Sequence, residues 1–178
     1  FGNLDEVWFM VSPQNPFKAH SSDLWDDNLR LELVRLAVED YPKLQASDFE
    51  FHLPRPSYTI HTLDALQEAY PDHEFSLIIG EDNWQSFGRW YRGEDIARET
   101  PIIVYPRDAE GELRIKGKDS KARTPNSQQP IANSQQSPKL LPYSSTEVRH
   151  HIAAGQETSH MLHPDVAQYI REKHFYQG

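Results

Sequence analysis

The sequence predicts an α/β fold in which a parallel sheet is covered by helices on both faces. Three observations lead there. Short apolar runs at Asp5–Val11, Phe75–Ile79 and Ile102–Tyr105 have the length and β-branched content of buried strands. Stretches with helical repeat lie between them. The run ending at Ile79 stops abruptly at Gly80 and is followed by Glu81 and Asp82. In open α/β sheets such strand ends are where ligands bind.

Taken in order, Asp5–Val11 becomes apolar at Val7 and reads as the first strand, closed by the loop Ser12-Pro13-Gln14-Asn15-Pro16. Lys18 sits in that loop, within reach of the same sheet edge as Gly80; read alone it is an exposed lysine. Ser22 to Glu39 is a predicted helix, with Ser22 and Asp23 at its start and Leu29, Leu33, Leu36 and Ala37 at helical spacing. Phe49, Phe51 and Leu53 alternate with polar residues, the pattern of a half-buried strand. Beyond Pro54-Arg55-Pro56, Ser57-Tyr58-Thr59 leads into a second helix whose Leu63, Leu66 and Ala69 share a face until Pro71. Ser57 or Thr59 serves as an N-cap there, and a helix start after a strand is also a natural anion site.

The central strand comes next. Gly80 permits close backbone approach, and Asp82 can accept hydrogen bonds from ribose hydroxyls. Trp90-Tyr91 offers aromatic surface for a flat ring. On its own this segment reads rather as a core strand, a turn and two packing aromatics. A short helix around Glu94–Arg98 and a strand at Ile102–Tyr105 follow. From 107 to 139 Gly, Lys, Ser, Gln, Asn and Pro dominate, with Leu113 and Ile115 as the only strand-like positions; a mobile surface insertion is expected. In Leu140–Gly155, Ser144 and Glu147 have capping-box spacing, which places a helix start at Ser145 and its end near Gly155. The cap does not account for Arg149, whose guanidinium can face an anion held by the first-turn amides. Leu162 to His174 closes the chain as a helix with Pro164 in its first turn.

The 178 residues suffice for one domain spanning 1–178 with a real core. A net charge of −9 argues against general nucleic-acid or anionic-membrane binding, while a local phosphate pocket stays open. No apolar run reaches transmembrane length. The absence of cysteine excludes disulfides and thiolate chemistry. His150-His151 and His160 with His163 match no zinc spacing, so they read as surface histidines and no metal site is expected. Phe1 is not a natural start, and the true beginning of the protein is expected to precede it.

Three blocks occur in order at plausible spacing: Pro56-Ser57-Tyr58-Thr59, then Ile79-Gly80-Glu81-Asp82 with Trp90-Tyr91, then Ser144-Ser145-Thr146-Glu147-Val148-Arg149. Together they resemble the bacterial nicotinate-nucleotide adenylyltransferases of the nucleotidyltransferase α/β-phosphodiesterase superfamily. The last block is similar to the superfamily's Ile-Ser-Ser-Thr-x-Ile-Arg motif, with Tyr143 and Val148 at the two isoleucine positions. The first block and the Trp-Tyr pair narrow the resemblance to the pyridine-nucleotide branch. It covers nearly all of the chain outside 107–139. One element of the family pattern has no match, the His/Thr-x-Gly-His motif that grips the ATP phosphates; His20 and His61 lack its context. Asp5–Val11 resembles the family's second strand, so a first β-α unit is expected just before Phe1.

The resemblance implies a Rossmann-like nucleotidyltransferase fold and adenylyl transfer from ATP to nicotinate mononucleotide, giving deamido-NAD and pyrophosphate. It implies Mg²⁺ bound with ATP and a cytoplasmic enzyme of NAD biosynthesis, and leaves homo-oligomeric assembly open. By family role, Trp90 stacks on the pyridine ring, while the Thr59 and Tyr91 amides bind the nicotinate carboxylate. Gly80 and Asp82 hold the adenosine, and Ser145, Thr146 and Arg149 receive the ATP phosphates. Lys18 is a weaker phosphate candidate, and Arg149 is the stronger catalytic one. Two alternatives stand beside this reading: a pantetheine-phosphate adenylyltransferase-like enzyme, which would give Trp90-Tyr91 no purpose, and a non-catalytic nucleotide-binding module.

Overall fold

Strand β1, Val7–Met10, forms where the apolar run begins, and it pairs in parallel with β2, Leu44–Ser47, in the register Val7 to Leu44 and Met10 to Ser47. The computed structural model describes residues 4–13, 25–106, 114–118 and 143–176. The chain divides into two compact units, one carrying residues 55–106 and 114–118 and the other residues 4–13, 25–54 and 143–176. Each has its own sheet and its own apolar cluster.

In the second of these units, the connection from β1 to β2 includes helix α1, Asp27–Val38. Asp26 caps it by accepting from the Asn28 and Leu29 amides at 3.0 and 3.3 Å. The helix start expected at Ser22 is therefore corrected to Asp27, because Asp26 satisfies the free amides there; Ser22 and Asp23 lie outside the described residues. The strand expected over Phe49, Phe51 and Leu53 is overturned. Phe49–His52 is a 3₁₀ turn, and the strand comes earlier, at Leu44–Ser47. The alternation misleads because its polar member Glu50 is the buried one, accepting from Ser12 Oγ at 2.6 Å, while Phe49, Phe51 and Leu53 are only partly buried. The end of β1 is pinned from another side too, by Arg30 Nη2 donating to the Ser12 carbonyl at 2.8 Å.

Helices α5, Ser145–Ala153, and α6, Pro164–Glu172, complete this unit. Ile152, Val166, Ile170 and Phe175 are buried together, with Trp25, Leu29, Leu33, Leu36 and Val148 packed against them. Trp25 lies 4.2 Å from Phe175 between ring centres. Pro164 occupies the first turn of α6, as expected, and Gly155 takes φ +65 just after α5, the left-handed end that favours glycine.

The other unit starts with α2, Thr59–Ala69, followed by β3, Leu77–Gly80, and α3, Glu81–Ser86. Helix α4, Gly93–Glu99, and strands β4, Pro101–Tyr105, and β5, Arg114–Gly117, follow. β3 and β4 are parallel with Gly80 opposite Tyr105, and β5 returns antiparallel to β4. The described part of the expected insertion is thus a sheet strand at 114–117; the remainder of 107–139 lies outside the described residues. Gly117 makes the end of β5 possible. Its φ is +77, and a Cβ there would stand 2.6 Å from the Thr100 carbonyl oxygen. Ile60, Ile79, Phe87, Ile96, Ile102 and Val104 form the core, and Ile96, Ile102 and Val104 expose none of their surface. Each such side chain contributes about 1.5–3 kcal/mol on burial.

Candidate functional site

Gly80 ends β3 and Tyr105 ends β4, so the carboxyl edge of this parallel pair presents a glycine beside a phenol. A Cβ on Gly80 would stand 2.8 Å from Asp82 Oδ1 and 3.2 Å from the Tyr105 hydroxyl oxygen. The missing side chain leaves a small polar recess, with a carboxylate and a hydroxyl converging on it. Glu81, the neighbouring acid, is ion-paired with Arg114 of β5. Gly80 and Asp82 thus lie at one sheet edge, with Tyr105 beside them.

The first turn of α2 lies in the same unit. Its N-cap is Tyr58, in extended conformation and without a side-chain cap, which corrects the expectation that Ser57 or Thr59 caps it. No side chain caps this turn; of its amides, that of His61 donates to the Tyr58 carbonyl at 2.9 Å. Thr59 is the first helical residue. Against this turn lies Tyr91, half exposed, whose ring centre is 4.6 Å from that of Tyr58 and 5.7 Å from that of His61.

Trp90 is held from behind. Trp84, Phe87 and Trp90 follow one another at three-residue spacing, with ring centres 5.2 Å apart at both steps. Phe87 is buried, so the Trp90 ring rests on a fixed base with part of its surface accessible. The turn after it is fixed by Arg92 in left-handed conformation, φ 53, with its guanidinium 2.6 Å from Asp95. Hydrogen bonds from Arg92 and then Arg98 hold the Asp95 carboxyl below its ordinary value. Gly93 is buried, and a Cβ there would stand 2.8 Å from the Phe87 carbonyl oxygen.

The phosphate candidates belong to the other unit and form their own group. Ser144 caps α5 with the full reciprocal box: its hydroxyl accepts from the Glu147 amide at 3.2 Å, and Glu147 accepts from the Ser144 amide at 2.8 Å. These bonds hold the Glu147 carboxyl below its ordinary value, the backbone bond first. The box engages the third amide of the helix and leaves those of Ser145 and Thr146 at its mouth. Arg149 Nη2 donates to Thr146 Oγ1 at 3.3 Å, so Ser145, Thr146 and Arg149 share one exposed turn. Lys18 lies outside the described residues. No group of three or more His, Asp or Glu among the described residues could hold a metal ion.

Similarity to known proteins extends over most of the chain. Residues 1–151 match the family described as cytidylyltransferase-like. A protein of Bacteroides fragilis named "Probable nicotinate-nucleotide adenylyltransferase" is 49% identical over 96% of this chain and 78% of its own length. One of the same name from Bacteroides thetaiotaomicron is 47% identical over 97% and 79%. The chain belongs to the nicotinate-nucleotide adenylyltransferase family. A solved structure of the Plasmodium falciparum nicotinic acid mononucleotide adenylyltransferase, complexed with NaAD, shares its fold with a TM-score of 0.69 at 18% identity, covering 98% of this chain and 85% of that one.

The family pattern pointed to Thr59, Trp90 and Tyr91. Composition and spacing did not point to Tyr58, His61 or Tyr105. Tyr58 stood inside the quoted Pro-Ser-Tyr-Thr block, and Tyr105 ended a predicted strand, so both positions were visible while their partners were not.

Proposed function

We infer that this enzyme transfers the adenylyl group of ATP to nicotinate mononucleotide. The phosphate oxygen of nicotinate mononucleotide attacks the α-phosphorus of ATP, the bond to the bridging oxygen breaks, and pyrophosphate leaves with the electron pair. No protein nucleophile is required, because the barrier between two anions is lowered by alignment and cationic stabilisation. The observation that carries the reading is the meeting of Tyr91 with the start of α2, where its ring lies 4.6 Å from that of Tyr58 and Thr59 is the first helical residue.

In this reading Trp90 stacks on the pyridine ring, and the Thr59 and Tyr91 amides take the nicotinate carboxylate. Amide donors favour the acid over the neutral carboxamide. Gly80 and Asp82 hold the adenosine. Ser145, Thr146 and Arg149 receive the phosphates, with Lys18 as a further cation. Mg²⁺ would enter bound to the ATP phosphates, held mostly through waters. We further propose that the chain acts as one nucleotidyltransferase domain in the cytoplasm; no described helix is long and apolar enough to cross a membrane.

The test is pyrophosphate release with MgATP, comparing nicotinate mononucleotide, its amide and phosphopantetheine. The expected result is turnover with the nicotinate nucleotide, and a KM for it raised about tenfold or more in Trp90→Ala. Turnover with phosphopantetheine alone would move the chain to the neighbouring activity. ATP binding with no turnover on any acceptor would leave a nucleotide-binding module.

A further inference from the structure

We propose that Tyr58 and His61 are positioning residues that clamp Tyr91 and thereby set the affinity of the site for its pyridine nucleotide. The inference rests on the function proposed above and adds residues that reading does not use. Three rings form a closed triangle. Tyr91 lies 4.6 Å from Tyr58 at 39° and 5.7 Å from His61 at 70°, and Tyr58 lies 5.7 Å from His61 at 87°. The tilted and edge-on arrangements are those that aromatic pairs favour.

The placement of these rings gives the triangle its role. Tyr58 is a fixed wall: its amide donates to the Pro56 carbonyl at 3.0 Å, and its ring packs on the Ile60 and Ile79 core. His61 stands on the first turn of α2, its amide donating to the Tyr58 carbonyl at 2.9 Å. On the other side, Trp90 is seated on Phe87 and Arg92 is locked to Asp95. Tyr91 lies between these two anchored neighbours with its side chain exposed, in a turn closed by the Gly93 amide donating to the Trp90 carbonyl at 3.0 Å. Its ring fixes the separation between the Tyr91 amide and the turn bearing Thr59. A ligand reaching both is then bound without first ordering the loop, which is where preorganisation raises affinity.

Steady-state pyrophosphate release by the full chain tests this with His61→Ala, His61→Phe and Tyr91→Ala, and with Trp90→Ala as reference. His61→Ala and Tyr91→Ala should each raise KM for nicotinate mononucleotide about three- to tenfold. In His61→Ala, kcat and the KM for ATP should stay within about twofold, and Tm should stay within about 2 °C. His61→Phe, which restores a ring, should recover most of the lost affinity. An unchanged KM in both alanine variants overturns the clamp, as does a joint fall of kcat, ATP affinity and Tm. If Trp90→Ala raises the KM while the ring variants do not, only the clamp falls. If Trp90→Ala leaves it unchanged, the site assignment fails and takes the clamp with it.

Discussion

Gly80 carries the most information per atom in this chain, because what matters is the side chain it lacks. Alanine there would push a methyl group against Asp82 Oδ1 and the Tyr105 phenol. The methyl group would displace the exposed Asp82 side chain and press on Tyr105, so the folding cost of Gly80→Ala should be about 1–3 kcal/mol. The displaced carboxylate should also raise the KM for ATP about tenfold. A normal ATP KM in this variant would remove Gly80 and Asp82 from the adenosine site. Gly117 behaves differently. Its φ of +77 and the backbone oxygens of Thr100 and Ala97 at 2.6 and 2.9 Å from the added methyl leave nothing flexible to yield. Gly117→Ala should cost more than about 2 kcal/mol by denaturant titration, without changing either KM in the fraction that stays folded.

At the scale of elements, the start of α5 couples stability to pH. The Glu147 carboxylate is the acceptor in the cap, and its value in the folded protein lies below the ordinary one. Its contribution is therefore present above the ordinary carboxylate value and is lost as pH falls through the lowered one. An NMR titration should place the Glu147 midpoint below that of an unstructured glutamate. In Ser144→Ala it should return only part of the way, because the residue-144 amide still donates. The same substitution should cost about 1 kcal/mol through the lost cap. A Glu147 midpoint unmoved in the wild-type chain would mean that the box is open in solution. Elements also show why some of the sequence reading failed. Alternation at Phe49, Phe51 and Leu53 imitates a strand, yet Phe49–His52 is a 3₁₀ turn whose buried Glu50 accepts from Ser12. That bond joins residues far apart in the chain, and no local pattern records it.

At the scale of the molecule, the two apolar clusters have no residue in common. Ile96→Ala and Ile170→Ala should each cost about 2–5 kcal/mol. The double variant should equal their sum within about 0.5 kcal/mol. A larger discrepancy by denaturant unfolding would show that the clusters are energetically linked.

Much of this protein was determined by the sequence alone. Strand–helix alternation, the strand end at Gly80, the capping box of Ser144 and Glu147, and the aromatic pair Trp90-Tyr91 all follow from local rules of propensity, periodicity and spacing. Those rules act within a turn or two of chain, so they reveal which residues have chemistry to offer. Tertiary structure decided which of them meet. It set Tyr105 beside Gly80 through strand register, and it brought Tyr91 against Tyr58 and His61 by packing between segments some thirty residues apart. It also bedded Trp90 on a buried Phe87. Contacts of this kind arise when the chain buries its apolar surface as a whole, and one-dimensional spacing carries no distance across the fold.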